Sequence, residues 1–294
     1  DCTIEEAQNR YEGGGDIGSQ EALSIWGVNG FEVARCKVFN GRTEGIDAKV
    51  GSRNGTIHHN EVYGMAQRSG LAGGSANGAR NGGPGIYLDG NRAAMSNIQV
   101  YNNRVHSNKA DAIAVADEDT RGGLSNIKIY NNATWNNGIQ GVNSGAGIVI
   151  AAGTGIKIFN NTSVNDVHNL LIDGGAFGAP WPDGVEVRNN IFAGGKWRVV
   201  RVQESKNVLI DRNVVTRNVS TSIENAGNNS NYSVTNNIYT DTAGLTSTWR
   251  ITSTSPARGA ATWTGWSGSL IAGTDLDDQS RPQGNPDIGA DEIS

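Results

Sequence analysis

The sequence predicts an all-β, right-handed parallel β-helix, and three observations predict it. The first is a ruler of seven asparagines, Asn60, Asn103, Asn132, Asn161, Asn190, Asn213 and Asn237, with Cys36 in register ahead of them. The steps between these eight positions are 24, 43, 29, 29, 29, 23 and 24 residues. One short pattern recurs at each, as in NIQVYNNRV, NIKIYNNAT, GIKIFNNTS and GVEVRNNIF, and a repeat of this length with one β pattern per copy marks a stacked coil. The second is alternation: apolar residues such as Val33, Ile57, Val100, Ile129 and Ile158 stand three before the ruler, and Phe31, Ile98, Ile127 and Ile156 five before it. The residues between them are mostly polar, so each copy holds a strand with one buried face. Third, two-residue hairpins cannot join copies this far apart, so neighbouring strands are parallel and the coil winds right-handed.

The ruler asparagines then have a structural task. Stacked roughly 4.8 Å apart at the bend that ends the strand, identical amides hydrogen-bond up the column. This also accounts for the Asn-Xaa-Ser/Thr triplets at Asn132 and Asn161 without glycosylation. A further sheet follows the bend: ten residues after the ruler stand Ile46, Ile113, Leu171, Val200 and Ile223, with Ile86 and Ile148 in the same place after insertions.

The period runs from about residue 20 to 241 of 294, which argues for one elongated domain over 1–294. Residues 1–17 are a candidate cap, with a short helix over TIEEAQNRY; residues 18–241 form the coils; residues 242–294 are irregular and lie along or over the last coil. Residues 64–84 make a Gly-rich excursion, 119–124 and 138–146 extend two coils slightly, and 174–184 add a bulkier loop carrying Trp181. The 41 glycines suit tight bends that need positive φ. Net charge is −5 without a basic cluster, which excludes nucleic acid as the expected partner, and no stretch of 18 apolar residues spans a membrane. The chain is expected to be secreted and monomeric. Cys2 and Cys36 leave two readings open: Cys36 as a small buried group, or a disulfide tying the N-terminus to the first coil.

With the repeated NIxVYNN, the stretch EGIDAKVGSRNGTIHHNEVYG and the closing DLDDQSRPQGNPDIGADE, the chain resembles secreted bacterial right-handed parallel β-helix proteins of carbohydrate metabolism. That group includes polysaccharide lyases, glycoside hydrolases, epimerases and tailspikes, so the resemblance implies fold more sharply than function. Calcium-dependent lyases of the group place a Glu five residues before a catalytic Lys, a spacing that Glu44 and Lys49 match, although Val50 here follows the lysine where theirs has Ser.

Alternation about Ile46 and Ile86 turns Asp47, Lys49, Tyr87 and Asp89 outward on adjacent coils, with Lys49 roughly 5 Å from Asp89 and Asp47 beside Tyr87. Arg68 and Arg80 lie on the excursion between these coils. Such a cluster suits β-elimination of an acidic, uronate-containing polysaccharide: Lys49, its pKa lowered by burial, removes the proton beside the carboxylate, and Arg68 or Arg80 neutralises the enolate. Glu44, Asp47 and Asp89 are the expected calcium ligands. The plainer reading is a Lys–Asp pair across neighbouring surface strands.

Two other functions fit the same residues. Asp47 and Asp89 are spaced for inverting glycoside hydrolysis, and Asp117, Glu118 and Asp119, or Asp173, could extend an acidic site. A non-catalytic glycan binder would use the outward rings, His58, Tyr101, Tyr130 and Phe159 before the ruler and Phe39, Tyr63, His106 and Trp135 after it. Tyr87, Tyr63, His106, Trp135, Tyr101 and Tyr130 are the expected sugar contacts, unless the rings simply stack on one another.

Overall fold

The computed structural model describes residues 1–5, 21–41, 43–66, 83–120, 122–138, 145–174, 178–217, 222–262, 273–282 and 284–293. Each coil is triangular in section. Its first strand is typified by Met95–Tyr101, its second by Arg104–His106 and its third by Ile113–Ala116. Stacking of successive coils gives three parallel sheets, of eight, nine and eight strands among the described residues. The second sheet, with strands of only three or four residues, is the one that sequence reading passed over.

One bend of each coil explains the paired asparagines. Between the first and second strands the chain turns through a left-handed residue, namely Arg35, His59, Asn102, Asn131, Asn160, Asn189, Arg212 and Asn236, at φ of 52° to 56°. Asparagine tolerates that conformation best among residues with a side chain, hence the NN pair. The second Asn of each pair points inward. Asn60, Asn103, Asn132, Asn161, Asn190, Asn213 and Asn237 form an unbroken column in which each Nδ2 donates to the next Oδ1 at 2.9 Å. Asn132 and Asn161 are fully buried, so their triplets are closed to glycosylation in the folded chain.

The interior is one continuous stack of Ile, Val and Leu, including Ile57, Val100, Ile129 and Ile158 from the first sheet and Ile46, Ile86, Ile113 and Ile148 from the third. At inward position 55 the chain has glycine because the Phe31 ring of the preceding coil already fills the space: a Cβ there would fall 2.2 Å from Phe31 Cε1. One register expectation is corrected. Leu170, not Leu171, continues the column, pairing with Ile148 and Val200, and Leu171 turns outward. Adjacent leucines in NLLID give the sequence pattern no means of choosing between them.

Residues 2–5 form a strand rather than the start of a helix, pairing in parallel with Cys36–Phe39. Edge pairing in the sheet gives these four residues backbone partners that an isolated short helix lacks. Cys2 and Cys36 are joined by a disulfide across a separation of 34 residues, which contributes roughly 3–4 kcal/mol by limiting the unfolded chain.

The C-terminal segment lies along the side of the coils, the last one included, rather than over their open end. Its residues Ala243, Ile251, Ala257 and Ile288 pack on the outer face of the second sheet against Val164, Ile191 and Val214. From there it continues back to the early coils, and Leu276 and Ala290 pack with Ala133. The first asparagines of four NN pairs hold it: Asn102 donates to Asp275 O, Asn131 to Thr274 O, Asn160 to Asp287 O and Gly289 O, and Asn189 to Thr262 O. Buried Arg281 pairs with Glu292 at 3.0 Å and reaches Asn131 Oδ1. No helix among the described residues is long and apolar enough to cross a membrane.

Candidate active site

The third sheet places the predicted cluster as its alternation requires. Ile46 pairs with Ile86, Asp47 with Tyr87, and Lys49 with Asp89. Inward Ile46, Ala48, Ile86 and Leu88 anchor the strands in the core, leaving the four polar side chains on the outer wall. One coil earlier, Ser24 and Trp26 continue the same rows beside Asp47 and Lys49. One coil later, Ala114 and Ala116 floor the wall.

Lys49 is held from two sides. Its Nζ lies 2.9 Å from Asp47 Oδ2 and also bonds Glu21 Oε1. Burial alone would lower its pKa, but Glu21 and Asp47 outweigh burial and raise it, which corrects the expectation of a lowered lysine. Asp47 is 2% exposed, and burial pushes its carboxyl up to about 8 despite the pull of Lys49. Its Oδ1 and Glu44 Oε2 are buried without hydrogen-bond partners, and Glu44 too is raised, chiefly by burial. Asp89 accepts from the Asn91 N–H at 3.0 Å, and burial, then Glu118, push it up to about 6. The Tyr87 hydroxyl donates to Glu118 Oε1 at 2.8 Å and is raised well above its ordinary value by burial.

Glu21, Glu118 and Trp26 join this cluster although the motif did not single out two of them and Glu118 stood only in a neighbouring acidic run. Their signal was the register: extending the third sheet one coil back from Ile46 reaches Leu23 and hence Trp26. Trp26 is 56% exposed, with Lys49 Nζ and Arg92 Cζ 5.5 and 5.8 Å from its ring centroid. Of the acidic run, Asp117 accepts from the backbone N–H of Thr120 and Gly123, and Asp119 from that of Arg92; they build a turn. Asp173 lies three coils beyond Asp89 in the same row. Arg68 and Arg80 lie outside the described residues.

Glu44, Asp47 and Asp89 do not fit calcium. The Lys49 ammonium already occupies Asp47 Oδ2, and among the described residues no three His, Cys, Asp or Glu side chains are arranged to hold a metal ion.

The expected aromatic contacts do not converge on the cluster either. His58, Tyr101, Tyr130 and Phe159 line the first sheet, stacked at 4.6, 4.9 and 4.8 Å. Phe39, Tyr63, His106 and Trp135 line the second, at 5.0, 5.0 and 4.2 Å. Their faces are spent on one another, and Tyr87 is buried, so these rings are not platforms for a sugar.

These shifts make stability depend on pH. Asp47, Asp89 and Asp166 (also about 6, through burial) have folded values above their unfolded ones. Their contribution is complete below pH ~4 and lost as pH rises through about 6 and about 8. His168, lowered to about 4 by burial and Arg201, works oppositely, its contribution being lost as pH falls below the ordinary histidine value. Three carboxyls against one histidine set the balance, so through these groups the melting temperature should be highest near pH 4, fall most steeply to about pH 6 and go on falling to about pH 8. Asp47→Asn should flatten the alkaline fall in a thermal melt series; an unchanged slope would contradict the buried, protonated Asp47.

Together the three stacked sheets, the asparagine column and the outward cluster define a right-handed parallel β-helix protein. The chain belongs to that family: the family described as right handed beta helix region matches residues 1–162. Among solved structures it is similar to the periplasmic alginate epimerase AlgG, with 12% sequence identity and a TM-score of 0.54 over 74% of this chain and 47% of that one. It also resembles XylC in complex with xylose (10% identity, TM-score 0.49, 90% of this chain and 50% of that chain) and pectate lyase Pel9A (14%, 0.47, 93% and 70%). The chain spans about half the length of the alginate epimerase, and at these identities the likeness is one of fold. No curated protein matches the sequence.

Proposed function

We propose that the protein is a carbohydrate-active enzyme that hydrolyses glycosidic bonds of a polysaccharide, with Asp47 as general acid and Asp89 as general base. The observation that carries this reading is the placement of two carboxyl groups, Asp47 and Asp89, on diagonal positions of adjacent strands in one outer wall, where burial pushes the first up to about 8 and the second up to about 6. Paired carboxyls pushed apart in this way supply an acid and a base at one pH. Diagonal positions on adjacent parallel strands stand about 8 Å apart, room for a water between Asp89 and the sugar. Asp89 takes a proton from that water as its oxygen bonds the anomeric carbon. The glycosidic bond breaks, and its oxygen receives the proton of Asp47. Trp26 offers an exposed face for a sugar ring at the rim. Glu118, exposed on its turn, accepts from the Tyr87 hydroxyl at the edge of the pair.

Elimination from a uronate fits less well. Lys49 is held as an ammonium between Glu21 and Asp47, so it has no free lone pair with which to take a proton from a uronate. The disulfide supports a secreted protein. The test is a panel of neutral polysaccharides (xylan, mannan, mixed-linkage glucan) and uronate polymers (polygalacturonate, alginate), with and without chelator. Reducing ends from a neutral polymer, without ultraviolet-absorbing unsaturated ends and unaffected by chelator, are the expected result. Unsaturated products from a uronate polymer would replace hydrolysis by elimination.

A further inference from the structure

We infer that a cavity of about 280 Å³ next to the acidic cluster is a subsite for one neutral pyranose ring of the same glycan, with Trp181 as its stacking wall. This rests on the hydrolytic reading and adds to it where and what the enzyme reads besides the bond it cuts.

The cavity runs along the turns that lead from the third sheet to the first, between Asp117, Gly123, Leu124, Gly153, Thr154 and Trp181. It adjoins the cluster directly: Ala116, which precedes Asp117, pairs with Asp89. The Trp181 loop follows the strand His168–Asp173, three coils beyond Asp89, or about 14 Å along the axis. An extended oligosaccharide covers that distance in a few rings.

Trp181 is 37% exposed, one of four large hydrophobic side chains so exposed among the described residues. The fold holds it there. Pro180 and Pro182 flank it, fixing φ on both sides and restricting Trp181 itself to extended backbone. Gly174 seats the indole, since a Cβ at that position would fall 2.9 Å from Trp181 Cδ1 and 2.8 Å from Pro182 Cδ. An exposed indole already ordered in this way binds a flat apolar ring face at little further entropic cost. The lining also fixes the charge of the guest. Among the described residues no cation lines the cavity, and the one acid there, Asp117, has both oxygens bound to turn amides. Among the described lining residues an anionic sugar meets no counter-charge, whereas the hydroxyls of a neutral one meet the exposed side chains of Ser125 and Thr154. The volume is at the small end for ligand sites, one ring rather than a segment of polymer.

The experiment uses the whole chain with xylohexaose, mannohexaose, cellohexaose and hexagalacturonate, measured by calorimetry in an Asp89→Asn background and by steady-state kinetics without it. Trp181→Ala should weaken binding of the neutral hexasaccharide that the enzyme cleaves by about tenfold and raise KM by the same factor, with kcat within about twofold. Trp181→Phe should restore most of the affinity. Equal affinity in wild type and Trp181→Ala, with hydrolysis intact, would overturn the subsite alone. Failure of the wild-type chain to bind or cleave any neutral hexasaccharide would remove both the subsite and the hydrolytic reading.

Discussion

Replacing Asn161 with alanine is expected to destabilise the chain by about 3–5 kcal/mol, among the largest effects of any single substitution. Its side chain accepts from Asn132 N and Nδ2 at 3.0 and 2.9 Å and donates to Ile129 O, Phe159 O and Asn190 Oδ1 at 2.9, 3.2 and 2.9 Å. All five bonds vanish together in a fully buried site. The Asn132 N–H and the Ile129 carbonyl then face each other's absence with no water to replace the amide, and each such orphan costs about 1–3 kcal/mol. Nearest-neighbour coupling carries the damage to the coils on either side. Asn126 makes the control. Its amide donates to Asn97 Oδ1 at 2.7 Å in an exposed ladder, so Asn126→Ala should cost under about 1 kcal/mol. Urea denaturation of both variants decides the matter. Similar small losses would mean that the buried column follows from the coil rather than holding it.

The column was legible because it repeats: a buried amide has to recur at every coil to be satisfied, and recurrence is what a sequence displays. Alternation likewise gave the registers Asp47–Tyr87 and Lys49–Asp89. What escaped was what does not recur or recurs too briefly. Strands such as Arg104–His106 are too short for alternation to show. The first asparagine of four NN pairs looked like a companion of the second, yet its left-handed backbone aims it outward to grip a tail 73 to 173 residues further along the chain. Glu21 reaches Lys49 from the previous coil, and its effect reverses the sign of the lysine shift. Sign depends on the balance between burial and partners, which spacing alone does not contain.

Asp47→Asn and Asp89→Asn should each lower kcat by about 10²–10⁴-fold, and they should do so with different pH signatures. The wild-type rate is expected to follow a bell, rising as Asp89 ionises at about 6 and falling as Asp47 loses its proton at about 8. Removing the base abolishes the acid limb of whatever activity remains; removing the acid abolishes the alkaline limb. Lys49 separates this chemistry from elimination. As a proton-abstracting base, Lys49 would be indispensable, and Lys49→Met would be as damaging as either aspartate change. In hydrolysis its ammonium only draws the Asp47 pKa down, so the same variant should keep activity within about tenfold and move the alkaline limb upward. Initial rates of the four proteins from pH 5 to 9 make the comparison. An inert Lys49→Met beside an active Asp47→Asn would assign the proton transfer to the lysine and not to the aspartate it pairs with.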